Sequence, residues 1–103
     1  LMPVSFNLEE DARFETSLES LHKSQAVKVI NTLQQIQQAA FLWDDFARNF
    51  KWQALSITGS DTYPGANALY GFQIVIDDIG TQMEVIGYTY NEQVIVCSIA
   101  RPA

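Results

Sequence analysis

Basic side chains are scarce in this sequence. Six lysines and arginines stand against twelve aspartates and glutamates, a net charge of −6. Such a chain repels phosphate backbones unless its few cations gather on one face, so nucleic-acid binding is disfavoured and a basic protein partner fits better. Cysteine occurs once, at Cys97, which excludes an internal disulfide and a cysteine zinc cluster. Because Cys97 lies inside an apolar run, it reads as a small buried hydrophobe rather than a reactive thiol. Histidine also occurs once, at His22 in a polar turn, and a lone imidazole makes any catalytic triad a guess. Ser56, Ser60 and Ser98 have no glycine elbow around them. The glycines are few, and Gly59, Gly65, Gly71 and Gly80 form no phosphate loop ahead of a helix. Asp44-Asp45 and Asp77-Asp78 lack the alternating oxygen spacing of a calcium loop, so neither metal nor cofactor is expected. No apolar run approaches the ~20 residues that span a bilayer. The first residues show no basic stretch followed by a long apolar one, so no export signal is expected and the cytoplasm is the default location.

What the sequence does have is a folding pattern. At 103 residues and 48% hydrophobic, the chain is expected to form one soluble domain spanning 1–103. Residues 3–8 alternate, with Val4, Phe6 and Leu8 on one side, and predict a first strand. Glu9, Glu10 and Asp11 then open a predicted helix over 9–21, acids placed where the helix dipole favours them. Phe14, Leu18 and Leu21 follow at helical spacing. Ser24 is the expected N-cap of a second helix over 24–40, carrying Ala26, Val27, Ile30, Leu33 and Ile36 inward. The glutamines Gln34, Gln35, Gln37 and Gln38 fall on its solvated side. So short a connection predicts an antiparallel helical hairpin.

Phe41 to Phe50 fits a short third helix, because 43, 46, 47 and 50 share a face. Residues 52–58 read as a strand, and Ser60 to Asn67 is turn chemistry throughout. Three apolar runs close the chain: 69–76, 83–90 and 94–100. The first ends in Asp77-Asp78-Ile79-Gly80, with glycine where a left-handed residue is needed, and the last two are hinged on Asn91-Glu92. Pro102 cannot donate to a ladder and ends the last strand. The expected fold is therefore α+β: an N-terminal strand and helical hairpin packed on an antiparallel meander. Its core should include Phe14, Leu18, Val27, Ile30, Leu33, Phe72, Ile74, Val85 and Ile95. The run at 52–58 and the hydrophobic last strand leave edges with few protecting charges, which predicts a homodimer through a sheet edge or the aromatic segment.

The order strand, helical hairpin of the type Phe-x3-Leu-x2-Leu-x-Lys-Ser, and terminal meander resembles the RelE/ParE toxin superfamily. "VSFNLEEDARFETSLESLHKSQAVKVINTLQQI" and "LYGFQIVIDDIGTQMEVIGYTYNEQVIVCSIARP" carry the resemblance, and "EVIGYTYNEQVIVCSIA" is its closest stretch. The resemblance implies a metal-independent endoribonuclease acting on ribosome-bound messenger RNA, in which cations hold the scissile phosphate and a side chain moves protons. Arg48, Lys51, Tyr88 and Arg101 are its candidate site residues here. At the strand opening, where that family often has arginine, this chain has Gln82, Met83 and Glu84.

Three functional readings follow. The first is an acidic protein-binding module on a RelE/ParE-like scaffold, without catalytic activity. The second is an active ribonuclease or gyrase-targeting toxin paired with an antitoxin. The third is a small-ligand protein with an aromatic pocket built from Trp43, Phe46, Trp52, Tyr70 and Phe72.

Overall fold

The structure, a computed structural model, describes residues 3–55 and 69–100. Eight elements follow one another: β1 (Phe6–Asn7), α1 (Arg13–Glu19), α2 (Lys23–Gln38), α3 (Trp43–Asn49), β2 (Gln53–Ala54), β3 (Tyr70–Val75), β4 (Gln82–Tyr90) and β5 (Gln93–Ala100). The fold is α+β, as the sequence predicts. The strands form one five-stranded sheet in the order β1-β5-β4-β3-β2. β2 through β5 run antiparallel to their neighbours, while β1 joins parallel to β5, with Phe6 opposite Val94 and Asn7 opposite Ile95.

The meander is set by local chemistry. At the β3–β4 turn, Asp77 Oδ1 accepts the amides of Ile79 at 3.2 Å and Thr81 at 2.9 Å, and Gly80 takes φ 83°. Asp77 thus closes the turn that Asp-Asp-x-Gly favours. The β4–β5 hairpin closes through Asn91 and Glu92, both left-handed at φ 50° and 64°, so their twist matches the strands they join. Gly87 lies beside an irregularity in the β4–β5 register, and any Cβ there would collide with the carbonyl oxygen of Ile95.

Several boundaries differ from expectation for identifiable reasons. The first strand is shorter than 3–8. Val4 N–H bonds the Phe41 carbonyl at 2.7 Å and Pro3 bridges Leu42, so the chain meets α3's entrance before it meets β5. The acids at 9–11 do not open a helix. Asn7 Oδ1 accepts the amides of Glu9 at 3.1 Å and Glu10 at 2.9 Å, and Asp11 Oδ1 accepts that of Arg13 at 3.0 Å. Side chains thus hold this backbone in turns, and α1 begins only at Arg13. In α2, His22 takes the cap position with extended backbone and no side-chain capping bond, so Ser24 is inside the first turn and not the N-cap.

One sheet face carries the main core. Phe14 of α1, Val29, Leu33 and Ile36 of α2 and Phe46 of α3 pack there against Phe72, Ile74, Met83, Val85, Val94 and Val96. Val27, expected in this core, is 51% exposed, while Val29 is fully buried. Two residues along a helix rotate a side chain by about 200°, so the two valines cannot share a face. Ile30 and Leu18 are half-buried at the margin of the core. Ile95 is buried as expected, but on the opposite sheet face, in a second cluster with Leu69, Tyr88 and Cys97. β5 itself is an inner strand between β1 and β4 rather than the open edge its position in the chain suggests.

Candidate functional site

The residues singled out from the sequence are placed in three regions. Trp43, Phe46, Trp52, Tyr70 and Phe72 do come together, but as packed rings. Phe46 touches Phe6, Trp43, Phe50, Trp52 and Phe72 at centroid distances of 5.1–6.2 Å, and Trp52 stacks on Tyr70 at 4.9 Å. Phe46 and Phe72 are fully buried, so these aromatics close the core over the sheet. Arg48 is exposed at the end of α3, where its guanidinium reaches Asp45 Oδ1 at 2.6 Å one turn back. Lys51 follows α3 with a left-handed φ of 57° and is exposed. Tyr88 is 2% exposed and belongs to the second cluster, on the sheet face opposite Phe46. The structure therefore separates Arg48 and Lys51 from Tyr88 by the thickness of the sheet. Arg101 lies outside the described residues, as do residues 56–68, with the loop expected at Ser60 to Asn67 and the end of the strand expected at 52–58.

Two clefts bracket the sheet. The first, about 400 Å³, opens where β1, the start of α3 and the β4–β5 hairpin meet, and Pro3, Ser5, Trp43, Glu92 and Gln93 line it. Gln93 laces its floor: its amide donates to Ser5 Oγ at 3.3 Å and its carbonyl accepts from Asn7 Nδ2 at 3.4 Å. Trp43 is 37% exposed here, and Asp44 and Asp45 follow it in the first turn of α3.

The second cleft, about 510 Å³, lies between α1 and the sheet face that carries Tyr88. Leu69, Ile86 and Cys97 give it an apolar floor, and Thr16, Ser17 and Ser20 line it from α1. At its mouth stands Arg13. Asp11, 3% exposed, grips that guanidinium twice, from Nε at 3.0 Å and from a terminal nitrogen at 2.7 Å. The paired hydrogen bond from Arg13 holds the Asp11 carboxyl below its ordinary value and raises Arg13 above its own. Burial pushes the Cys97 thiol up to about 11, and the Asp11 charge adds to the shift, so this thiol stays protonated at neutral pH.

Sequence reasoning missed the Asp11–Arg13 pair and Ser17. Asp11 looks like one more acid at a helix start, and nothing in a spacing of two residues announces a bidentate grip. Ser17 bonds Ile99, 82 positions later, and short-range pattern carries no trace of that contact.

Among the described residues no three histidine, cysteine, aspartate or glutamate side chains gather as metal ligands, and no helix is long and apolar enough to cross a membrane. Comparison with protein-family models, with curated proteins and with solved structures finds no match to this chain.

Proposed function

We propose that this chain is a protein-binding module on a RelE/ParE-like scaffold, without catalytic activity, and that it takes a basic segment of its partner in the cleft beside Trp43. The observation that carries the reading is the half-exposed Trp43 ring sharing a cleft with Glu92. A cation over an indole face gains about 0.5–1 kcal/mol at exposed sites and more when desolvated. Glu92 supplies a carboxylate in the same cleft, Asp44 and Asp45 follow Trp43 in the first turn of α3, and the net charge of −6 draws basic partners toward the whole surface. Against ribonuclease chemistry stand the separation of Arg48 and Lys51 from Tyr88 and the engagement of Arg48 by Asp45.

Calorimetric titration with a short arginine-rich peptide tests this. Glu92→Gln and Trp43→Ala should each weaken binding about tenfold, the equivalent of roughly 1.4 kcal/mol. Glu19→Gln, the same charge change on exposed α1, should have little effect. Equal weakening by Glu19→Gln and Glu92→Gln would reduce the interaction to net charge and remove the cleft from it.

A further inference from the structure

A basic segment can bring two kinds of cation to the Trp43 cleft, and they differ in shape and hydration. Guanidinium is a flat fork of five donors, weakly hydrated, that stacks on aromatic faces. Ammonium is a compact point charge that holds its water more tightly.

The lining of the cleft bears on that difference. Pro3, Val4 and Val94 border it together with Trp43, and among the described residues lining it Glu92 is the one charged side chain. Neither ion pair among the described residues involves Glu92. Gln93, whose amide could otherwise offer competing donors to that carboxylate, donates to Ser5 Oγ at 3.3 Å. Apolar borders suit an alkyl stem, and among them a guanidinium sheds its water at less cost than an ammonium does.

Both recognition groups are held before any ligand arrives. Trp43 packs on Phe46 and Trp52 with ring centroids 5.6 and 5.1 Å apart, yet remains 37% exposed. Glu92 stands in a two-residue hairpin turn, left-handed at φ 64°, between the paired Tyr90 and Gln93. Groups fixed in advance lose less freedom on binding, and a planar, forked cation gains most from a fixed plane and a fixed carboxylate.

We infer, on the reading of the Trp43 cleft as the site of a basic segment, that the anchor of that segment is an arginine and not a lysine. Its guanidinium lies on the Trp43 indole and forks to the Glu92 carboxylate, with its alkyl stem along Pro3 and Val94.

Calorimetric titration of the full chain with an arginine-rich peptide, its lysine counterpart of equal length and charge, and the same peptide with symmetrically dimethylated arginine provides the test. The arginine peptide should bind about tenfold more tightly than the lysine peptide, a difference of roughly 1.4 kcal/mol. Dimethylation keeps the charge but blocks the fork, and should remove most of that preference. Glu92→Gln, at an exposed turn position outside the core, should bring the arginine and lysine peptides to within about twofold of each other, and Trp43→Leu should do the same. Equal affinity for the arginine and lysine peptides, both weakened by Glu92→Gln, would overturn the choice of arginine and leave the cleft as the site. A preference for arginine that survives Glu92→Gln, or full-strength binding of the dimethylated peptide, would overturn the fork. Binding of none of the peptides would overturn the reading of the cleft and the arginine anchor with it.

Discussion

Ser17 takes over where a strand stops. Among the described residues β1 pairs with β5 only at Val94 and Ile95, and no other described strand lies beside the outer edge of β5 beyond that point. Ser17 Oγ meets both the amide and the carbonyl of Ile99, doing for one residue what a neighbouring strand does for several. Ser17→Ala should therefore leave a half-buried amide without its acceptor, at a cost of about 1–3 kcal/mol. The denaturant midpoint should fall while the slope stays constant; an unchanged midpoint would show that water replaces the hydroxyl freely. A second residue-scale expectation concerns acid. Since Arg13 lowers the folded pKa of Asp11, the stability from this pair is fully present above the unfolded carboxyl value of about 3.9 and is lost as pH falls through the folded one. The stability difference between wild type and Asp11→Asn should accordingly be largest near neutral pH and shrink on acidification below about pH 4. A difference that grows in acid would mean that Asp11 is not held as its carboxylate. Neither residue was legible beforehand, because each acts through a partner or a burial that only the folded chain creates.

Elements were legible where one period dominates. The β4–β5 hairpin could be read because alternating apolar residues flank an Asn-Glu pair that the fold puts in the left-handed region. Helix α2 could be read in extent but not in facing. Ala26, Val27, Val29, Ile30, Leu33 and Ile36 spread apolar side chains over more than one side, and only packing decides which side turns inward. The structure chooses Val29, Leu33 and Ile36, with Ile30 at the margin. Val29→Ala should then cost on the order of 2 kcal/mol, within the usual span for truncating a buried aliphatic side chain, and Val27→Ala well under 1 kcal/mol. Thermal or urea unfolding of the pair measures this directly, and equal losses would rotate the helix back to the face the sequence suggested. α1 was read too long for a different reason. Acids near a helix start look alike in sequence whether they face the dipole or, as Asp11 does, accept a backbone amide in a turn, and the Asn7 carboxamide holds the amides of Glu9 and Glu10 in the same way.

For the whole molecule, element order was legible because it rests on many residues at once, whereas a site rests on a few side chains whose meeting depends on which sheet face each one takes. Tyr88 follows from this: its parity along β4 sends it to the face away from α3, and with it goes any convergence with Arg48 and Lys51. The end of β5 makes the same point. Ala100, the residue before Arg101, pairs with Glu84 on β4, so a carboxylate is carried to the strand position opposite the end of β5, where the RelE/ParE resemblance asks for a cation. Phosphoryl chemistry on RNA needs several positive groups aimed at one developing charge, since removing a single preorganised donor can cost about 2.7–4 kcal/mol. The proposed absence of catalysis rests on Glu84 at that strand position and on the net charge of −6. Induced expression in a bacterial host should accordingly neither arrest growth nor cleave ribosome-bound messenger RNA, and Arg101→Ala should leave both readouts unchanged. Growth arrest by the wild-type chain that Arg101→Ala abolishes would show that cations converge after all, and would replace the binding module with a toxin.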